Sequence, residues 1–167
     1  MELYLLRHGL AVELENPDRR RDFARELTGE GKRKLEHVSD ALQALEISFD
    51  LILTSTYMRA LQTAKIIATG LDLTEQVQCI EQLAPGASPR KLIEFINGLK
   101  KKPQRLLLVG HEPGLSQLIS LLVTGDPGAS IAVKKAGFCK LEVGRLKHGK
   151  CASLEWLLTP AHMRLMS

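Results

Sequence analysis

The feature that most constrains this chain is its opening stretch, MELYLLRHGL. Leu3 to Leu6 form a short run with no charged interruption, and it stops at Arg7-His8-Gly9. A run this short and this apolar, ended by polar residues and a glycine, predicts a strand buried on both faces. In open α/β sheets the ligand sits just past the carboxyl ends of the strands. Arg7 and His8 are therefore expected at the rim of the sheet. Gly9 lets the backbone come close to whatever lies there.

The rest of the chain alternates between strand and helix patterns. Residues 13 to 26 are polar, contain Pro17, and read as a surface loop. Thr28 is a suitable N-cap for an amphipathic helix running from Lys32 to Leu45, with Leu35, Val38, Leu42 and Leu45 at helical spacing. Phe49 to Thr54 predicts a second strand. Ser55 then opens a helix carrying Met58, Leu61, Ala64, Ile67 and Ala68 on one stripe, stopped by Gly70. Val77 to Ile80 is a third strand, and a helix starts at Ser88-Pro89. Arg105 to Val109 is a fourth strand ending at Gly110-His111-Glu112, with a helix over about 115–123 behind it. Ala136 to Val143 and Ala152 to Leu158 read as strands around a turn at 144–149, and 160–167 as a final turn or helix. This order predicts right-handed βαβ units. The expected fold is three-layer α-β-α, with a mostly parallel central sheet, one antiparallel edge and no large cap subdomain. With 167 residues and no repeat or linker, a single domain over 1–167 is expected.

Composition narrows the function classes. No apolar run is long enough to span a membrane, and Arg7-His8 interrupts the first one too early for a signal peptide, so a cytoplasmic location is expected. Cys79, Cys139 and Cys151 form no CxxC pair, which suggests neither a zinc site nor a disulfide framework. The net charge is +4, with basic runs at 19–21 and 100–102 that read as solvated surface. Aromatic residues are 4% of the chain, too few for a platform that stacks single-stranded bases, so nucleic acid is not an expected partner.

Three strands end alike: at Arg7-His8-Gly9, at Ser55-Thr56-Tyr57-Met58-Arg59, and at Gly110-His111-Glu112. In a parallel sheet these ends share one rim, so two arginines and two histidines converge. Guanidinium forks match phosphoryl oxygens. One imidazole can serve as nucleophile, and the second can stabilise charge developing in transfer. A helix N-terminus at the same rim favours an anion. The acidic clusters that hold Mg²⁺ in other phosphoryl-transfer sites are missing from these strand ends, so no metal or cofactor is expected. Singly, each residue has a plainer reading: His8 as a structural histidine, Arg59 as a solvated helix residue, His111 as a helix cap. Together, the catalytic reading is favoured. His37, His148 and His162 have no such company and read as structural or exposed.

LLRHG, TSTYMRALQTA and VGHEPG resemble, in order, the motifs of the histidine phosphatase superfamily, also called phosphoglycerate-mutase-like. Thr56 stands where the middle motif usually has proline. Within the superfamily the chain is most similar to SixA-type phosphohistidine phosphatases, through its small size, Arg25-x-Leu27-Thr28-x-x-Gly31, and the turn Leu83 to Gly86. The resemblance implies that His8 is the nucleophile and is transiently phosphorylated. Arg7, Arg59 and His111 would hold the phosphoryl group, with Arg25 as a further substrate contact. The general acid of other branches follows the third strand; Glu81 is the nearest residue, and Gln82 competes for that place. Larger members insert a helical cap, for which this chain has no room. The implied substrate is a phosphohistidine-containing protein such as a phosphotransfer domain, and the implied state a monomer. The alternatives are a phosphatase of small phosphate esters and a non-catalytic phosphate-binding module.

Overall fold

A computed structural model describes residues 1–16 and 18–166; Pro17 of the expected loop and Ser167 of the tail lie outside the described residues. Its centre is β1 (Glu2–Arg7), which pairs in parallel with β4 (Arg105–Gly110) in a register that sets Arg7 opposite Gly110. β4 pairs with β2 (Leu51–Ser55), and β2 with β3 (Val77–Ile80), again in parallel. On the other side of β1 runs β5 (Phe138–Val143), antiparallel, followed by β6 (Ala152–Leu158). The sheet order is β3-β2-β4-β1-β5-β6: four parallel strands and an antiparallel two-stranded edge. The fold is therefore the expected three-layer α/β sandwich.

Alternation along the central strands makes the layers. Leu3 and Leu5, with Leu106 and Leu108, face α4 (Pro89–Gly98) and α5 (Gly114–Thr124), where Leu92, Ile96, Leu118 and Ile119 meet them. Tyr4 and Leu6, with Leu107 and Val109, face the opposite layer. That layer holds α2 (Gly29–Ala44), α3 (Met58–Gly70) and α6 (Pro160–Arg164), which contribute Leu35, Leu42, Ile67 and Met163. Each fully buried leucine is worth about 1.5–3 kcal/mol. Both faces of β1 are covered, which is why the strand is apolar throughout instead of alternating.

Two expectations need correcting. Residues 13–26 contain a short helix, α1 (Arg19–Phe23), capped by the Asp18 side chain, which accepts from the Arg21 N–H. Ser55 does not open a helix. It ends β2, and α3 begins at Met58 with Tyr57 as N-cap. Gly70 ends α3 as expected, without a left-handed φ; a Cβ there would sit 2.0 Å from Ser39 Oγ of α2, so glycine is required for close helix–helix packing. The left-handed residue that reverses the chain is Asp72, at φ 56.

Candidate active site

Parallel pairing brings the ends of β1, β2 and β4 to one rim, and the predicted residues meet there. His8, Arg59 and His111 are 7%, 5% and 6% exposed. The His8 and His111 rings lie 5.1 Å apart, centroid to centroid, and Arg59 Nε is 3.3 Å from His8 Nε2.

The His8 ring is oriented by the backbone. Its Nδ1 lies 2.7 Å from the Gly9 carbonyl oxygen, an acceptor only, so Nδ1 carries the proton and Nε2 the lone pair. Arg59 Nε–H points at that lone pair. Burial pushes the His8 pKa down to about 4, against the pull of the Gly9 carbonyl, and the charges of Arg59, Arg7 and Lys135 add to the effect. The His8 imidazole is thus neutral at pH 7, chiefly through desolvation and only secondarily through the arginines.

His111 is also neutral, with its pKa pushed to about 3 by burial, then by His8, Arg59 and Arg7. Its Nε2 lies 2.8 Å from Ser55 Oγ. That oxygen accepts the Tyr57 backbone N–H at 3.2 Å, so its own hydroxyl hydrogen is available for His111 Nε2. When the Ser55 hydroxyl donates to Nε2, the imidazole proton resides on Nδ1, a buried nitrogen with no partner among the described residues. Arg7 presents a matching vacancy: Nη1 donates to the Val133 carbonyl at 2.9 Å, while buried Nε has no partner. Two buried nitrogens without partners beside a neutral imidazole can receive an oxyanion, a role consistent with how rarely native proteins leave such groups unsatisfied.

Arg59 is held from outside. Its Nη1 donates to the Asp22 carbonyl at 2.8 Å and its Nη2 to the Asp22 carboxylate at 3.3 Å. Arg25 lies one step back: its Nε donates to the Val12 carbonyl and its Nη1 to Asp22, so it braces Asp22 and does not reach His8 in this arrangement. Tyr57 supports Arg59 from below, 5.2 Å from guanidinium carbon to ring centroid, and meets the His111 ring edge-on at 5.4 Å. Asp22 and Tyr57 were not singled out from the sequence. The three-residue spacing from Asp22 to Arg25 was the one available signal for Asp22, obscured by reading the segment as loop.

The middle motif also does structural work that its sequence did not disclose. Thr63 Oγ1 accepts the Gly9 N–H at 3.1 Å and donates to the Arg59 carbonyl at 2.7 Å. Gln62 Oε1 accepts the Leu27 N–H at 2.7 Å. One turn of α3 therefore clasps both the loop after β1 and the segment leading into α2. Gly31 completes the clasp, since a Cβ there would lie 2.2 Å from the Leu10 carbonyl oxygen.

Glu81 is placed differently from the expected acid. It is exposed, at the head of a 3₁₀ turn over Glu81–Leu83, while Gln82 lines the small cavity of about 30 Å³ beside His111. Among the described residues only this turn, the Leu83–Gly86 turn, α4 and a short loop separate β3 from β4, so no large cap is inserted there. Glu112 is occupied in accepting the Ser116 N–H of α5 at 3.0 Å. Among the described residues no group of three or more His, Cys, Asp or Glu is arranged to hold a metal ion, and no helix is long and apolar enough to cross a membrane.

Known proteins share this frame. The family model of the histidine phosphatase superfamily (branch 1) matches residues 3–84, which span His8, Arg59 and the clasp. An uncharacterized protein of Picosynechococcus sp. is 36% identical over 145 residues, 86% of each chain. The phosphohistidine phosphatase SixA homolog of Haemophilus influenzae is 28% identical over 130 residues, 73% of this chain and 77% of that one. The structure of the protein histidine phosphatase SixA complexed with tungstate superposes with a TM-score of 0.77 over 96% of this chain and 98% of that one, at 20% identity, and so shares the fold. With the motifs of its first half matched by the family model and their side chains gathered at one rim with His111, the chain belongs to the histidine phosphatase superfamily.

Proposed function

We propose that this protein hydrolyses phosphohistidine on another protein through a phosphorylated His8. The observation that carries the reading is the pairing of a neutral His8, its Nε2 free of any proton, with two unpaired buried donors, Arg7 Nε and His111 Nδ1. In the first step the Nε2 lone pair forms the bond to phosphorus while the bond from phosphorus to the substrate imidazole nitrogen breaks; that nitrogen takes a proton from solvent. Arg7, Arg59 and His111 receive the phosphoryl oxygens, as expected of preorganised donors in such a transfer. Positive charge spreads over the His8 ring as the bond forms, and the Gly9 carbonyl on Nδ1–H stabilises it. Water then attacks phospho-His8, releasing phosphate and restoring the imidazole.

Three features favour a phosphohistidine protein over a small phosphate ester. The rim has no helical cap, so a bulky substrate reaches it. Of the two residues that follow β3, Gln82 lines the cavity beside His111 and cannot donate a proton as an acid does, Glu81 is exposed, and Glu112, which also lines that cavity, accepts the Ser116 N–H. An imidazole leaving group departs with less acid assistance than an alkoxide. The relatives named for this activity point the same way.

The test is phosphate release from a phosphohistidine-bearing protein and from an aryl phosphate ester, each with wild type and His8→Ala, with chelator present. Faster release from the protein, abolished in His8→Ala, is the expected result. Preference for the ester would replace this reading with a small-ester phosphatase. Phosphate binding without turnover would replace it with a binding module.

A further inference from the structure

A second hollow opens at Arg7. It is a cleft of about 760 Å³ between the start of α2, residues 134–136 and the start of α6. Six lysine or arginine side chains line it, with Glu30 the one carboxylate, and that carboxylate lies 2.6 Å from Lys34 Nζ. Six cations against one carboxylate give the lining more positive charge than the net +4 of the whole chain. Such a concave basic surface focuses its field on an anionic partner.

The cleft is joined to the catalytic centre through the backbone. Arg7 N–H donates to the Gly137 carbonyl, and Ala136 N–H lies 3.1 Å from the Arg7 carbonyl and 3.2 Å from that of His8. Arg7 Nη1 holds the Val133 carbonyl. Lys134 and Lys135 are therefore mounted on a segment bonded to the nucleophile's own strand end. A partner bound there gains contacts without ordering a loose loop.

We propose that this cleft docks an acidic segment of the phosphorylated partner protein. Arg33, Lys34, Lys134 and Lys135 would receive aspartate and glutamate carboxylates while the phosphoryl group enters between Arg7 and His8. The proposal deepens, and rests on, the phosphohistidine-protein reading. The lining favours protein over nucleic acid. Leu10, Ala136, Pro160 and Ala161 supply apolar contact, and no Phe, Tyr or Trp is present to stack a base.

The test uses the full chain and fluorescence anisotropy of a labelled glutamate- and aspartate-rich peptide. A glutamine peptide of equal length and a single-stranded RNA are compared with it. Arg33→Glu/Lys134→Glu is set against Arg145→Glu/Lys147→Glu. The second pair makes the same charge change in a separate basic cleft between α4 and the turn joining β5 to β6. The first pair should weaken acidic-peptide binding by about tenfold, or 1.4 kcal/mol, and the second by much less. It should also raise KM for an acidic phosphohistidine protein and leave hydrolysis of the aryl ester unchanged. Equal losses in both pairs, tighter binding of RNA through Arg33 and Lys134, or no preference for the acidic over the glutamine peptide would each overturn the proposal. If wild type fails to hydrolyse any phosphohistidine protein, the functional reading falls, while anisotropy still decides whether the cleft captures acidic segments.

Discussion

Arg59 Nε donates across 3.3 Å to His8 Nε2, the lone pair that attacks phosphorus in the proposed mechanism. In that mechanism the donor passes from the His8 lone pair to a phosphoryl oxygen. Asp22, on Nη1 and Nη2, keeps the guanidinium in place during the exchange.

Replacing Arg59 should be severe. Arg59→Ala is expected to lower kcat/KM by about 10²–10³, the range for loss of one preorganised donor at a developing charge. Arg59→Lys should recover little of it, because an ammonium cannot reach His8 and Asp22 together in a planar fork. Steady-state kinetics checks both, and near-wild-type activity of Arg59→Lys would refute the fork role.

The two buried imidazoles make a pH prediction. His8 titrates near pH 4 and His111 near pH 3 in the fold, both below the ordinary value of about 6.5. Between those values the unfolded chain binds protons that the native state refuses, so stability falls as pH drops below 6.5 and the loss ends near each folded pKa. Urea unfolding should show a stability decline on the order of a few kcal/mol from pH 7 to pH 4. His8→Ala should remove part of that slope. Proton NMR of the His8 ring should give a midpoint near 4, and a midpoint near 6.5 would show that burial does not depress it.

Ser55→Ala should leave the fold intact and impair turnover. Without the hydroxyl, His111 Nε2 loses the hydrogen bond that keeps its proton on Nδ1, and Tyr57 N–H loses its acceptor. One such bond is worth about 1 kcal/mol, so a fall in kcat of roughly five- to tenfold is expected. ¹⁵N shifts of His111 should move from the Nδ1–H tautomer toward a mixture. Unchanged shifts would show that Ser55 does not set the tautomer.

Thr63→Val tests the clasp. The swap keeps shape but removes the acceptor of the buried Gly9 N–H, at a cost of about 1–3 kcal/mol. Because that N–H adjoins the nucleophile, kcat should fall along with the denaturation midpoint. A loss of stability with kcat intact would confine Thr63 to a structural role.

The sequence by itself carried the strands and the residues at their ends. β1 and β4 announce themselves because both their faces are buried, so local composition records a tertiary fact, and Arg7, His8 and His111 follow directly at their ends. Thr28, too, was legible as an N-cap, since capping involves residues three apart. What only the tertiary structure decided are relationships between side chains distant in the chain. Asp22 meets Arg59, Ser55 meets His111, and Thr63 meets Gly9, and none of these pairings leaves a periodic trace in sequence. Glu81 and Gln82 differ by one position, and the 3₁₀ turn alone turns Gln82 toward the cavity and leaves Glu81 in solvent. The basic cleft is the extreme case. Its cations come from separate segments of the chain, and only folding makes one surface of them.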